Sequence, residues 1–275
     1  MKLRFAAVVL LPYSLAHGEP RFTQNDFGGV GLLQTPTARM APAGEFSLNA
    51  NRTDPYSRYS ISIQPLDWLE GSFRYTAISD RKYGAESFSG NQSYKDKAVD
   101  VKARLWQESH WLPEVALGFR DVGGTGLFSS EYFVANKRYY DLDFSLGVAW
   151  GYIGNRGDYK NPLGYLDERF DTRPVNTGAD AGNVNTNSYF RGSPSLFGGV
   201  AYQTPWAPLS LKFEFDGNDY EHEPLNNSLK QDSPINIGAV FKLTDSVDLS
   251  AGWERGNTAL FGITFHTNFT SRKAP

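Results

Sequence analysis

The sequence predicts an all-β fold: a transmembrane antiparallel up-and-down β-barrel of about 12 strands with an irregular N-terminal lead-in. Three observations carry this expectation. Alternating apolar and polar stretches recur along the chain, each near the ~10 residues that a tilted membrane strand requires. The links between them sort into a short set and a longer set that take turns. No stretch of the 275 residues reaches the roughly 20 apolar residues of a spanning helix. The mean hydropathy of −0.45 does not exclude a barrel, since barrel strands turn half of their residues to a polar lumen.

Residues 1–16 read as a cleaved secretory signal: Lys2 and Arg4 form the basic region, Phe5 to Leu11 the apolar region, and Ser14-Leu15-Ala16 a small-x-small cleavage site. The chain has no cysteine, which excludes disulfides and thiolate metal sites and leaves no lipobox residue for acylation. Residues 17–43 form a periplasmic lead-in rich in Gly, Pro and Thr, with room for a helical turn in the barrel mouth. Leu32 and Leu33 suit burial better than a free tail. Phe27 to Met40 are therefore expected within or against the mouth as a plug, with Arg39 on a luminal or rim carboxylate.

The barrel is expected over residues 44–269, followed by a tail at 270–275. The clearest strand runs Leu142-Phe144-Leu146-Val148-Trp150-Tyr152, with Asp143, Ser145, Gly147, Ala149 and Gly151 between. Others alternate around Val99–Leu105, Leu209–Phe215, Ile235–Leu243, Val247–Trp253 and Phe261–Phe265, and weaker ones near Phe46, Ile61, Phe73, Leu117, Phe133 and Val200. Short links fall at Gln64–Asp67, Gln107–Pro113, Asn136–Asp141, Thr204–Pro208 and Thr244–Ser246. The alternate set contains the long Ser79–Lys97, Gly154–Pro194 and Asp216–Pro234. This asymmetry places the long links outside and both termini in the periplasm. Trp68, Trp111 and Trp206 by short links, and Trp150, Tyr152 and Trp253 toward the other end, are expected to form two aromatic girdles.

The balance of 27 basic and 30 acidic residues supplies no basic field for nucleic acid. The four histidines form no metal-binding pair, and Glu221-His222-Glu223 reads as a solvated loop. No cofactor, metal or catalytic set is expected. His266 toward the lumen with Ser250 on a neighbouring strand is the sole hint of a lipid- or glycan-modifying enzyme, the alternative function. Gly28-Gly29-Val30-Gly31 and Gly123-Gly124-Thr125-Gly126 lack the Lys-Ser or Lys-Thr of a phosphate loop and read as tight turns.

Alternation assigns Arg74, Asp100, Lys102, Arg104, Arg120, Glu131, Lys212, Glu214 and Asp216 to the polar lumen. Two readings apply: charges that pair across a narrow barrel and fill it, or a hydrated lining for a polar glycan. A neutral polar residue in place of Ser145 or Lys212 is expected to be tolerated far better than Arg in place of Leu146 or Phe213.

Three strings, Gly28 to Met40 (GGVGLLQTPTARM), Gly118 to Tyr132 (GFRDVGGTGLFSSEY) and Lys212 to Tyr220 (KFEFDGNDY), resemble the YjbH family of outer-membrane exopolysaccharide and group 4 capsule proteins. The resemblance spans nearly all of the chain after the signal and matches the N-terminal portion of longer members. It implies a non-enzymatic barrel assisting exopolysaccharide or capsule secretion or assembly at the outer membrane. Its expected partners are outer-membrane lipid, a polysaccharide or its export machinery, and the barrel assembly machinery. It brings no catalytic residues with it.

Overall fold

The computed structural model describes residues 21–174 and 186–270; the signal expected at residues 1–16, most of the expected C-terminal tail and part of the longest link lie outside the described residues. Twelve strands form the barrel: β1 (Glu45–Thr53), β2 (Tyr56–Leu66), β3 (Leu69–Lys82), β4 (Ser93–Trp106), β5 (Glu114–Arg120), β6 (Ser130–Tyr139), β7 (Leu142–Gly151), β8 (Ser195–Gln203), β9 (Leu209–Phe215), β10 (Ile235–Thr244), β11 (Val247–Glu254) and β12 (Thr258–Asn268). Each pairs antiparallel with its neighbours in sequence, and β1 pairs β12 to close the sheet, so no strand edge is left open.

Alternation has the sense opposite to that of a water-soluble protein. On β2, Arg58, Ser60 and Ser62 are buried inside while Tyr59, Ile61 and Ile63 are exposed outside. Leu146 and Phe213, 61% and 47% exposed, belong to the same outer face. An apolar exterior around a polar interior is the arrangement of a barrel that crosses a bilayer with its strands.

At one end the strands are joined by the short links 67–68, 107–113, 140–141, 204–208 and 245–246. At the other lie 54–55, 83–92, 121–129, 152–194, 216–234 and 255–257. The expected sorting of links is therefore observed. The long-link end also has tight turns, because β1–β2 and β11–β12 are simple hairpins.

Glu131 does not face the lumen. Its register partners are Phe119 and Trp150, which point outward, and its neighbour Phe133 on the same face is 37% exposed. A carboxylate on that face is costly without a partner, and it has one. Arg173, from the 152–194 link, grips it through Nη1–Oε2 at 2.7 Å and Nη2–Oε1 at 2.9 Å, and the Phe190 amide donates to it at 2.8 Å.

Two aromatics leave the girdles. Trp68, Trp111, Trp206 and Trp253 are 49%, 86%, 59% and 47% exposed, but Trp150 and Tyr152 are 6% and 5% exposed. Trp150 points outward under the Phe190 ring, 5.3 Å away. Gly151, at φ +73°, turns the chain so that Tyr152 goes inward against Phe27 and Phe128.

The core lies inside the barrel, between the wall and residues 21–44. Phe27 packs with Tyr56, Ile78, Phe128 and Tyr152 toward the long-link end. Ala38 packs with Ala116, Tyr132, Val134, Ala149, Ile153 and Phe197. Among the described residues of the lead-in no helical turn forms; the chain makes the isolated bridges Gln24↔Val30 and Gly31↔Pro36 instead. Leu32 and Leu33 fit notches in the wall, because a Cβ built on Gly199 or Gly238 would come within 2.7 Å of their side chains.

Candidate functional site: the filled lumen and its outer groove

The wall holds the lead-in mainly through its backbone. The Glu214 carboxylate on β9 accepts the N–H groups of Leu33 (2.9 Å), Gln34 (3.0 Å) and Thr35 (2.9 Å) and the Thr35 hydroxyl (2.8 Å). Two residues earlier on the same face, Lys212 Nζ donates to the carbonyls of Gly31 (2.9 Å) and Leu32 (2.6 Å). One side chain of each sign thus satisfies the donors and acceptors of a single tight loop, which would be costly to bury unpaired. Lys102 on β4 acts likewise on Val30 (3.1 Å) and Arg39 (2.9 Å), and Glu70 on β3 accepts the Val30 amide at 3.1 Å.

At the short-link end, Arg39 reaches Asp143 through Nε (2.9 Å) and Nη2 (2.8 Å), Glu114 through Nη1 (2.8 Å) and Glu108 through Nη2 (2.6 Å). The rim carboxylates expected for it are these three. At the upper end, Arg58, Arg74 and Arg120 surround the Phe27 ring, their guanidinium carbons 4.3, 4.7 and 3.7 Å from its centroid.

The remaining residues assigned from sequence are placed as follows. Arg74 pairs with Asp100 at 2.7 Å, and Asp100 also accepts the Asp121 amide at 2.7 Å. Arg104 lies 3.6 Å from Glu114. Arg120 donates to the Gln34 carbonyl at 3.1 Å. Asp216 accepts from the Tyr220 hydroxyl at 2.5 Å and from the Asn236 amide at 3.4 Å. Of the nine, Glu131 stands apart on the outer face, and Lys102, Arg120, Lys212 and Glu214 bond directly to the lead-in.

Sequence reasoning missed Asn136, whose Oδ1 accepts the Ala38 amide at 2.8 Å, and Asp26, which meets Thr53 at 2.8 Å. The inner parity of Asn136 on β6 was the available signal; none distinguished Asp26. His266 lies 3.1 Å from Glu45 and 3.6 Å from Asp248, while Ser250 is in register with Gly262, so the Ser–His pair considered from sequence is not assembled.

A groove of about 490 Å³ opens between the 121–129, 152–194 and 216–234 links. Its lining includes Tyr152, Asn155, Arg173, His222, Glu223 and Leu225. Glu223 is buried beneath it and accepts the hydroxyls of Tyr56 and of Tyr152, the latter at 3.2 Å. Burial pushes the Glu223 carboxyl up to about 7, against the opposing effect of the two tyrosine hydrogen bonds. Glu221 and Glu223 do not act together, since Glu221 is exposed, and among the described residues no group of three or more His, Asp or Glu side chains could hold a metal ion.

Residues 23–275 match the sequence profile of the family described as YjbH, exopolysaccharide biosynthesis protein YbjH. An uncharacterized lipoprotein YjbH of Escherichia coli strain K12 is 52% identical over 248 residues, 90% of this chain and 35% of the relative. The chain thus spans about a third of that relative's length. Among solved structures, the KdgM porin in complex with disordered oligogalacturonate has a TM-score of 0.41 at 10% identity, over 80% of this chain and 98% of the porin. The NanC porin gives 0.39 at 10% identity over 80% and 98%. Outer membrane phospholipase A from Escherichia coli gives 0.35 at 9% identity over 83% and 98%.

Proposed function

Because the chain belongs to the YjbH family of exopolysaccharide biosynthesis proteins, we propose that it is a non-enzymatic outer-membrane barrel assisting the secretion or assembly of an exopolysaccharide or capsule. In this reading the long links face the outside, the short links and both chain termini face the periplasm, and the signal is cleaved after Ala16. The partners are outer-membrane lipid, the barrel assembly machinery, and the polysaccharide or its export machinery.

One observation carries the mechanical part: residues 21–44 fill the lumen and are held by β3, β4, β5 and β9 together. A polymer cannot pass a barrel whose interior is occupied by bonded backbone. The protein therefore acts as a scaffold that presents its outer loops and the apolar wall to partners. The test compares cells lacking the gene with cells complemented by the full chain or by one lacking residues 21–40 after the signal. Polymer in the medium and on the surface should fall without the protein. In planar bilayers the intact mature chain should show little steady conductance, and the shortened one more. Large stable pores from the intact protein would replace scaffolding with conduction, and hydrolysis of phospholipid or glycan by the purified protein would favour an enzyme.

A further inference from the structure

The outer groove is a built cavity with a distinct chemistry. At about 490 Å³ it lies within the roughly 300–1,000 Å³ range of small-ligand sites. Its apolar surfaces come from Leu127, Pro174, Pro224 and Leu225, and its polar ones from Asn155, His222 and Asn226. The His222 and Asn226 side chains are exposed.

Charge is nearly absent as a binding force. The Arg173 guanidinium is committed to Glu131 in a two-point ion pair and to Ser129 Oγ at 3.0 Å. The Glu223 carboxylate is turned away into its tyrosine hydrogen bonds. A phosphate would find no uncompensated cation there, and a lipid tail would leave the Asn226 amide and the His222 imidazole unpaired, while Asn155 already donates to the His222 carbonyl at 3.0 Å. A pyranose presents what such a lining can match: hydroxyls for amide and imidazole groups, and flat C–H faces for proline, leucine and tyrosine side chains.

The groove is also held in an unfavourable backbone. Leu225 and Asn226 are both left-handed, at φ 63° and 55°, and the Glu223↔Asn227 bridge fixes them. A leucine adopts that conformation only under strain, which the surrounding structure must enforce.

We propose that this groove is a carbohydrate subsite that takes a short run of uncharged, hydroxyl-rich sugar units of the exported polymer. The assignment rests on the polysaccharide reading given above and locates the contact at the long-link end rather than in the lumen. Tyr152 ties the two regions together, since it lines the groove and packs against Phe27 of the lumen filling at 6.0 Å between ring centroids.

The experiment uses the full chain in detergent and short fragments from mild hydrolysis of the extracellular polysaccharide of the cells that carry this protein. Binding is followed by calorimetry and by saturation-transfer NMR. The variant His222→Ala with Asn226→Gly removes two exposed side chains and keeps a residue suited to positive φ, so the barrel should melt as the parent does. The parent should bind saturably and the double variant at least about tenfold more weakly. No saturable binding by the parent, or equal binding by the variant, overturns the subsite. Polymer release is measured in parallel in cells lacking the gene. If release falls but fragments do not bind, the groove assignment alone fails; if release is unchanged, the polysaccharide reading fails and the groove assignment with it.

Discussion

Glu214→Gln is the sharpest probe of the filled lumen. The carboxylate accepts three consecutive amides, one hydroxyl and the Asn236 amide. The glutamine amide would keep one accepting oxygen and point an NH2 at donors that need acceptors. Leaving about two buried donors unpaired, at roughly 1–3 kcal/mol each, weakens docking of the loop at residues 31–36 by about 3–5 kcal/mol. With tenfold in population for each ~1.4 kcal/mol, the undocked fraction should rise more than about a hundredfold. The chain contains no cysteine, so Leu33→Cys, at a position 2% exposed, gives a clean reporter. Labelling by a water-soluble maleimide should be very slow with Leu33→Cys alone. It should be faster by two orders of magnitude or more with Glu214→Gln added, in proportion to the open population. Rates that agree within about threefold would refute the claim that this carboxylate holds the loop.

Further outcomes follow from the same geometry. Arg39→Ala strips Asp143 of its ion-pair partner, leaves Glu114 and Glu108 with only Arg104 and Lys137, and should raise both Leu33→Cys labelling and bilayer conductance, at a cost on the order of 3 kcal/mol. Leu146→Arg or Phe213→Arg on the lipid face should impair insertion by roughly 2–4 kcal/mol near the bilayer midplane, measured as the folded fraction on a semi-native gel, whereas Ser145→Ala should not. Glu131→Gln should loosen the 152–194 link from the wall by about 3 kcal/mol, seen as faster proteolysis of that link with the barrel intact. Glu223 has a folded-state pKa raised above its ordinary value, so its contribution to stability is full below the ordinary carboxylate range and is lost as pH rises through about 7. Amide exchange in the 216–234 link should therefore be slower at pH 5 than at pH 8 after correction for intrinsic rates, and Glu223→Gln should remove that difference.

The fold was legible because two periodicities agreed. Alternation along Leu142–Gly151 marks a two-faced strand, and the alternate spacing of links marks a closed meander. Expectation failed at two places for one reason, which is that the 152–194 link folds back over the outer wall. Glu131 obeys the outward parity of Phe133, but its charge suggested a lumen position because Arg173, 42 residues away, could not be foreseen. Trp150 likewise holds its outward place on β7 yet is covered by Phe190. Lys212 illustrates a different limit. Alternation places it inward but says nothing of its bonds to the Gly31 and Leu32 carbonyls. Those carbonyls belong to a segment with no period of its own, so nothing in the strand pattern announced them.

The bonds between the lead-in and β9 join residues about 180 positions apart, as in Leu33 to Glu214 and Gly31 to Lys212. A segment made before every strand of the barrel therefore has no complete seat until β9 has joined the wall. Closure of β12 onto β1 completes the wall around a segment whose chain continues directly into β1 at Glu45. The tether is thus made early and becomes ordered late, once the strands that hold it are in place. A variant that weakens docking of residues 21–44 should therefore reach the membrane as a closed but unfilled ring, in line with the higher conductance expected of the shortened chain.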